Sequence, residues 1–483
     1  MSVNDTEVTG IGSGLAVGTA SAVLTPRLRL VLVLLLAAQF MLAVDFAILN
    51  VALPVIGGSL GFPLADLQWI ATSFALCAAG FTLFFGRVAD LFGRRRLFLG
   101  GLAVLGVASI VGGLAQNPGM LITARIFQGL ATAAVTPAGL SLLTTSFPEG
   151  PLRRKALGLN GALMSSGFTA GAILGGVLTD LLSWRWAFFI NVPVALAVLL
   201  IAPRVINESR PDVRPKLDVP GAVSVTLGLL AIIFGLTQAG EKGWSSASAL
   251  LSLAAGVLLL LVFYAVECKV SSPLVPLGVL GKRSVAWGNL AGLLAFLTET
   301  SLVFPLTLYL QKVLGFSPLT AGLCFGVLGL GTVLGGTTAA KVIGKIGTKQ
   351  TLIVGGILQA VSTAAMIGLL SDDRSSMWLL LVASFTGGVG NLLVIVGFMV
   401  TATSGLADHE QGLAVGLATM TQQVGITMGT PIMSAVSTAA IVGTGATAIL
   451  GGLKVAIAVN AAIVLIGLLS SVLFLRSDRS TAQ

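Results

Sequence analysis

Residues 86–98 read Gly86-Arg-Val-Ala-Asp90-Leu-Phe-Gly93-Arg94-Arg95-Arg96-Leu-Phe98. This short basic stretch joins two long apolar segments, at about 65–88 and 97–115. By the positive-inside rule, a turn this basic and this close to a bilayer is held at the cytoplasmic face. The carboxylate of Asp90 can bond orphan backbone N–H groups or pair with a neighbouring guanidinium. The stretch therefore predicts a cytoplasmic turn between two membrane spans, and a simple basic anchor is one interpretation of it.

The composition is that of a polytopic membrane protein. Of the 483 residues, 55% are hydrophobic and only 9% are charged, and the mean hydropathy is +1.01. Soluble globular domains carry far more charge than this. The cysteines Cys77, Cys268 and Cys324 lie in or beside apolar segments without metal-ligand spacing. We therefore expect no disulfide framework, no metal or other cofactor and no nucleic-acid partner.

Apolar segments of about 20 residues or more, as a hydrocarbon core of about 30 Å requires, recur along the chain. We predict 14 membrane-spanning helices and an all-α polytopic membrane protein. The segments are at about 29–54, 65–88, 97–115, 118–144, 156–181, 186–204, 220–238, 247–266, 285–310, 319–341, 350–370, 377–402, 413–441 and 449–475. Residues 1–26, rich in Gly, Ser, Ala and Thr, are expected to be a disordered cytoplasmic amino terminus rather than a signal peptide.

The positive charges support this number of spans. If the amino terminus is cytoplasmic, 21 of the 27 lysines and arginines fall on the cytoplasmic side, and Arg125 alone falls inside a span. One miscounted span would scramble this bias. We therefore expect an even number of spans, both termini in the cytoplasm and a location in the plasma (inner) membrane.

An internal repeat divides the chain. When residues 120–171 are shifted by 258 positions, the Gly-x-Thr-x-Gly sequence at 167–171 meets the same pattern at 425–429. Gly93 likewise corresponds to Gly347, at an offset of 254. Repeated halves around a central site are typical of transporters. We predict a bundle of six helices at 27–204, a linker with two extra helices at 205–270, a second bundle of six at 271–475 and a cytoplasmic tail at 476–483.

Three ionisable residues within predicted spans are candidates for proton coupling, namely Asp45, Arg125 and Glu299. Each such group costs roughly 2.5–3.5 kcal/mol at the bilayer centre on insertion scales, so each needs a reason to be there. Asp45 and Arg125 can pair across spans 1 and 4, and a carboxylate whose arginine moves away can act as a proton switch. A static ion pair is the alternative, and for Glu299 the alternative is a hydrogen-bonded structural carboxyl. At an offset of 254, Asp45 and Glu299 have near-equivalent places in the two halves.

Several motifs resemble those of the major facilitator superfamily. Residues 86–95 are similar to its loop signature G-x-L-A-D-R-x-G-R-R between spans 2 and 3, although Val88 and Leu91 depart from the pattern. Asp45-Phe-Ala-Ile-Leu-Asn-Val-Ala-Leu-Pro54 resembles the span-1 signature L-D-x-T-I-V-N-V-A-L-P of its 14-span drug:proton antiporters. Residues 121–129 resemble the family's span-4 motif L-x-x-x-R-x-x-Q-G, whose arginine is Arg125 here.

A glycine pattern in span 5 resembles the antiporter motif G-x-x-x-G-P-x-x-G-G. It consists of Gly167, Gly171, Gly175 and Gly176, with Ala172 in place of the proline. Glycines repeated every four residues lie along one helix face and permit close helix contact. The resemblance implies a major facilitator fold, in which two pseudo-symmetric bundles of six helices are joined by two inserted central helices. It also implies that the loop residues Gly86, Asp90, Gly93, Arg94 and Arg95 form a cytoplasmic gate.

Amides and aromatics within the spans are candidates for lining a substrate cavity. The candidates are Gln68, Trp69, Gln128, Asn289, Phe296 and Gln422. The alternative for each residue is ordinary packing against neighbouring helices or lipid. No Gly-Lys-Ser/Thr phosphate loop is present, which argues against ATP as the energy source.

The resemblance implies a secondary active exporter that exchanges protons for a hydrophobic or amphipathic drug or antibiotic. Asp45, Arg125 and Glu299 would couple proton movement to rocking of the two halves. A proton-independent facilitator, or a lipid or metabolite carrier of the same fold, is the alternative. An enzyme is not expected, because the chain has a single histidine and no zinc-protease His pair. We expect a monomer whose partners are the organic substrate, protons and the lipid bilayer.

Overall fold

The structure is a computed structural model of the chain. It describes residues 25–63, 66–147, 151–209, 218–270, 273, 278, 281–371, 373–375, 377–403 and 408–475. Most of the predicted amino-terminal segment, at 1–24, and the predicted tail, at 476–483, lie outside the described residues. Within the described ranges the secondary structure is helical, without strands.

The helices are numbered in chain order. They are α1 (Pro26–Leu60), α2 (Gln68–Phe92), α3 (Arg94–Gly113), α4 (Pro118–Ser146), α5 (Pro151–Leu181), α6 (Trp186–Val205, with a turn at Ile190), α7 (Val219–Lys242), α8 (Ala247–Glu267), α9 (Arg283–Leu308, continued by a π-helical turn at Tyr309–Val313), α10 (Pro318–Ile346), α11 (Thr348–Leu369), α12 (Met377–Thr403), α13 (Asp408–Ala440) and α14 (Ala446–Phe474).

These helices are consistent with the predicted number of spans. Among the described residues, 11 helices are long and apolar enough to cross a membrane, or 12 if the bent helix α2 is one span. The other two, α5 and α13, have 31 and 33 residues and are also long enough. The inserted pair begins and ends within a few residues of the predicted segments at 220–238 and 247–266.

Local sequence sets several helix starts. Thr25, Asn117 and Ser317 each precede a proline, and each side chain accepts a hydrogen bond from the backbone N–H three residues later. This capping satisfies one orphan donor of the first turn, while the proline supplies a preset φ and lacks an N–H that would need a partner. Polar residues at the loops thus determine where apolar segments of similar composition begin.

The packing of the helices repeats between the two halves. In the first half α1 packs on α5, α2 on α4 and α3 on α4; in the second, α9 packs on α13, α10 on α12 and α11 on α12. The halves meet where α5 packs on α10 and where α2 packs on α13. Of the inserted pair, α8 packs mainly on α7, and α7 lies against both α2 and α13.

Glycine contacts give the register of the repeat. A Cβ on Gly167 of α5 would meet the carbonyl oxygen of Phe40 on α1, and a Cβ on Gly425 of α13 would meet that of Leu293 on α9. Four residues later, Gly171 and Gly429 lie in the same way against Val44 and Leu297. Helices α1 and α9 therefore correspond at an offset of 253, one residue less than the sequence comparison suggests.

At one end of the bundle a buried apolar cluster joins the two halves. We call the end of the bundle that carries Arg94–Arg96, Lys345 and Lys349 the basic end. At the opposite end one buried cluster contains residues of both halves, including Ile48 and Leu53 of α1 and Leu308 and Leu310 of α9. Towards the basic end the buried apolar residues form two clusters, one around Phe98 and one around Phe398. The two halves thus share a buried core at one end, while towards the other end the partly buried Phe46 and Phe168 of the first half pack against the cluster around Phe398.

Candidate functional site

A polar cluster is buried inside the first half around Asp45. Neither Asp45 nor Arg125 is more than 1% exposed, and Nη1 of Arg125 lies 3.3 Å from Oδ2 of Asp45. The other carboxylate oxygen accepts hydrogen bonds from the amides of Gln128, at 3.3 Å, and Asn191. The ion pair that the sequence predicts across helices α1 and α4 is therefore present, and α6 adds a further donor.

Arg125 is held in place on all sides. Its Nε donates to the carbonyl oxygen of Ile70 at 3.0 Å, and its Nη1 donates to Oε1 of Gln128 at 2.9 Å. The guanidinium also lies 4.1 Å from the ring centroid of Phe74, in cation–π geometry. Ser109 of α3 accepts from the amides of both Gln128 and Asn191. Five helices, α1, α2, α3, α4 and α6, thus contribute to one buried network.

A cavity lies between the two halves and is separate from this network. About 590 Å³ between its lining atoms is not filled by protein, a volume that includes open solvent. Helices α1, α5, α9 and α10 line it, with Phe46, Ala47, Asn50, Phe168, Thr169, Ala172, Glu299, Thr300, Val303, Phe325, Leu328, Gly329 and Thr332. The cavity thus lies at the contact of the two halves, with residues of both in its wall.

The repeat register explains the lining of this cavity. At an offset of 253, the α1 residues Phe46, Ala47 and Asn50 correspond to Glu299, Thr300 and Val303 of α9. Glu299 is thus the counterpart of Phe46, and Asp45 is the counterpart of Thr298. One residue turns a side chain by about 100° around a helix with 3.6 residues per turn. The near-equivalence expected for Asp45 and Glu299 therefore needs correction, because Asp45 faces the interior of its own half and Glu299 faces the cavity.

The second half has a neutral cluster in place of the Asp45 network. Nε2 of Gln359 donates to Oγ1 of Thr298 at 3.0 Å, and Asn460 donates to the carbonyl oxygen of Thr298 at 3.1 Å and to Ser301. Asn460 of α14 thus contacts α9 much as Asn191 of α6 contacts α1. The two halves repeat the position of the cluster but not its charge.

The six residues predicted to line a substrate cavity are not brought together. Gln128 belongs to the Asp45 network, and Gln68 is buried at the start of α2. Trp69 packs on Phe234 of α7 with ring centroids 6.1 Å apart, and Asn289 joins α9 to Thr421 of α13. Phe296 packs in the core against Phe398, and Gln422 is half-buried on α13. The prediction rests on amide and aromatic residue types, whereas the rotation of each helix about its axis determines which side chains reach the cavity.

The glycines of the predicted antiporter motif lie at close helix contacts. Gly167, Gly171 and Gly175 face α1, where a Cβ on Gly175 would overlap the carbonyl oxygen of Ile48. Gly176 faces the other half instead, and its Cβ would lie 2.5 Å from the carbonyl oxygen of Pro318 on α10. The motif therefore packs α5 against both its own half and the opposite one.

The predicted loop at 86–98 is mostly helical: residues 86–92 end α2, residues 94–98 begin α3, and Gly93 alone makes the turn between them. Gly93 adopts φ +113, and its repeat partner Gly347 adopts φ +85, which non-glycine residues rarely adopt. The Asp90 carboxylate accepts from Nε and Nη2 of Arg94 at 3.1 and 2.9 Å. Arg95 donates to the carbonyl oxygen of Ile206 at 3.0 Å. A Cβ on Gly86 would lie 3.8 Å from Pro137, which is ordinary contact with α4.

Glu208, in the connector after α6, is a contact residue that sequence reasoning missed. Its Oε1 accepts the backbone N–H of Arg95 at 3.0 Å, and a Cβ on Gly93 would lie 2.7 Å from its carboxyl carbon. The carboxylate thereby caps the first turn of α3 from another part of the chain. Only its place in a polar connector, opposite a basic loop, could have indicated this role.

Comparisons with known proteins agree with this geometry. A family model described as "Major Facilitator Superfamily" matches residues 35–430. The chain is 39% identical over 409 residues to the cephamycin export protein CmcT of Amycolatopsis lactamdurans, covering 84% of each chain. It is 38% identical over 417 residues to the puromycin resistance protein pur8 of Streptomyces alboniger, covering 86% of this chain and 83% of the relative. A structure of the nucleoside transporter NupG is similar in fold, with a TM-score of 0.62, 11% identity and coverage of 93% of this chain and 100% of that one.

Proposed function

The chain belongs to the major facilitator superfamily, and from that premise we propose that it is a proton-coupled exporter of hydrophobic or amphipathic drug-like compounds. Relatives named for the export of cephamycin and for resistance to puromycin and lincomycin support drug or antibiotic efflux. The organic compound, the proton and the lipid bilayer are its proposed partners. The proposed location is the plasma membrane, with the basic end and both termini in the cytoplasm, and the proposed state is a monomer.

The observation that carries the coupling is the placement of Glu299. A carboxyl group lines the central cavity at mid-helix, and an uncoupled carrier needs no such costly group. The buried pair of Asp45 and Arg125 supplies a second place where a proton can bind if the two side chains separate. Proton uptake at these carboxyl groups would alternate with occupation of the cavity by substrate.

The proposed mechanism is alternating access of two bundles, at 27–204 and 271–475, joined by the insert at 205–270. In the structure a buried apolar core shared by both halves closes the end away from the basic loops, while near the basic end the fully buried apolar residues form one cluster in each half. We infer that the cavity is directed towards the basic end, which we propose to be cytoplasmic. The gate loop at 86–98, anchored by Asp90 and Glu208, would close that side in the other state.

Everted membrane vesicles with an acidic interior test this function. Lipophilic cations, neutral antibiotics and anionic polyketides are added one at a time, and collapse of the pH gradient is followed with a fluorescent dye. We expect at least one compound to collapse the gradient through the wild-type protein. Glu299→Gln and Asp45→Asn, if folded, should abolish the response. Transport of a labelled compound without proton movement would instead favour the proton-independent carrier.

A further inference from the structure

The cavity between the halves has a distinctive charge composition. Of the 13 residues that line it, Glu299 alone is ionisable. Phe46, Phe168 and Phe325 contribute aromatic rings, and the remainder are small, aliphatic or neutral polar residues. Among the residues that the structure describes, a molecule in this cavity therefore meets one carboxyl group and several aromatic side chains, and no lysine or arginine.

Three of the four neutral polar residues that line the cavity make hydrogen bonds to backbone carbonyl oxygens; the fourth is Thr169. Thr300 donates to the carbonyl oxygens of Phe296 and Ile426, Thr332 donates to that of Gly329, and Asn50 donates to that of Phe46. Within the described part of the chain, the Glu299 carboxylate has neither a hydrogen bond nor an ion pair. Its oxygens are therefore available to a molecule in the cavity.

Arg125, the buried cation of the first half's polar network, does not pair with this carboxyl group. Arg125 is paired with Asp45 inside the first half, where Ile70, Phe74 and Gln128 also contact it. The shift of one residue between the halves is what separates these roles, because it turns Asp45 away from the cavity and Glu299 towards it. The negative charge of the cavity is thus left without a protein counter-ion.

From this geometry we propose that the exporter selects organic cations, and that Glu299 determines that selection. A positive group on the substrate pairs with the carboxylate in a largely dehydrated site, while ring faces of the phenylalanines hold it and its apolar substituents. A neutral analogue lacks this partner, and an anion meets like charge. The inference rests on the proposed function, since it assigns the substrate class of the same cavity.

Two ions of nearly equal size and opposite charge, tetraphenylphosphonium and tetraphenylborate, test the proposal. Binding to the full-length protein in detergent is measured by equilibrium dialysis at pH 8, without a pH gradient. Close charge pairs in dehydrated sites contribute enough to change affinity by roughly tenfold or more. We expect the wild type to prefer the cation by at least that factor, and Glu299→Gln to remove the preference. Glu299→Asp should retain it.

Asp180→Asn is the matched control, because it removes one carboxylate from the exposed end of α5. It should leave both affinities unchanged. Equal affinity of the wild type for both ions, preference for the borate, or an unchanged preference in Glu299→Gln would each overturn the proposal. If Glu299→Gln does not fold, the ion preferences of the wild type and of Glu299→Asp decide whether the proposal stands. The binding assay uses no pH gradient, so its result does not depend on proton coupling. If the wild type prefers the cation but the vesicle assay shows no proton exchange, the proposed antiport is refuted and the cation selectivity stands.

Discussion

The carboxylate of Asp45 and the guanidinium of Arg125 lie 3.3 Å apart, and neither side chain is more than 1% exposed. Breaking a buried pair by removing one partner typically costs about 3–5 kcal/mol, because the other charge is left unpaired. The two partners differ, however, since a stranded carboxylate can take up a proton and a stranded guanidinium cannot lose one. Substitution of Asp45 thus leaves a buried charge that cannot be neutralised, whereas substitution of Arg125 leaves a carboxyl group that can be protonated.

We therefore expect Asp45→Asn to destabilise the protein more than Arg125→Gln, and the double variant to be more stable than Asp45→Asn. Thermal unfolding of the detergent-solubilised protein, followed by the loss of the monodisperse peak on size exclusion, measures the order. Equal losses in the two single variants and an additive double variant would show that the pair contributes no coupling.

Substitution in the glycine motif should act through helix spacing. Gly175→Ala places a Cβ on the carbonyl oxygen of Ile48, so α5 must move away from α1. Overpacking of this kind costs about 1–3 kcal/mol, and we expect a comparable loss of stability together with loss of transport. Gly100→Ala is the control, because a Cβ there meets no atom within 4 Å. Similar behaviour of the two variants in thermal unfolding would contradict the packing role.

Substitutions of Glu208 can separate two effects of its carboxylate, namely capping of the first turn of α3 and its negative charge. Glu208→Gln keeps an oxygen that can accept the N–H of Arg95, whereas Glu208→Ala removes it. We expect the alanine variant to lose about 0.5–2 kcal/mol of stability and the glutamine variant much less. Denaturant titration of the purified protein compares them. Equal losses would assign the effect to the charge facing Arg96, 3.9 Å away, rather than to the cap.

The inserted pair should move with the first half during transport. Thr226 of α7 donates to the carbonyl oxygen of Gly80 on α2 at 2.6 Å, and the connector is fixed to the gate loop by Glu208. Against the second half, Gly240 packs on Ala435 of α13, a contact of small residues that can slide. Rocking of the halves would then change the contact of Gly240 with Ala435 and preserve the hydrogen bond from Thr226 to Gly80.

Paired cysteines in a background without Cys77, Cys268 and Cys324 check this expectation. Oxidation of the Gly80→Cys, Thr226→Cys variant should leave export of the compound found in the vesicle assay unchanged. Oxidation of the Gly240→Cys, Ala435→Cys variant should stop it, and reduction should restore it. If oxidation stops export only in the Gly80→Cys, Thr226→Cys variant, the inserted pair moves with the second half. If oxidation stops export in both variants, the inserted pair moves relative to both halves.

Much of the fold can be predicted from the sequence because bilayer thickness and loop charge constrain it. Predicted segments such as 247–266 fall almost on the helix Ala247–Glu267, and Asp45 pairs with Arg125 across two predicted spans. These features depend on helix length and on the scarcity of charged residues within apolar segments, and both can be read directly from the sequence.

Helix rotation and long-range contacts are not visible in the same way. The offset of 254 that the sequence suggests is one residue too large for α1 and α9, and that one residue decides whether an acidic side chain faces the cavity. Gln128 and Asn289 have the composition of cavity residues but are turned towards other helices. Glu208 lies more than 100 positions from Arg95, so only the folded chain brings them together.

The apolar core shared by both halves gives transport a characteristic dependence on temperature. Opening the molecule at that end must part residues such as Ile48 and Leu310 and expose them to water. Exposure of apolar surface raises the heat capacity, so an Arrhenius plot of turnover limited by this step should be curved rather than straight. Apolar association also weakens on cooling. Chilled protein should therefore contain a larger fraction of molecules open to the outside.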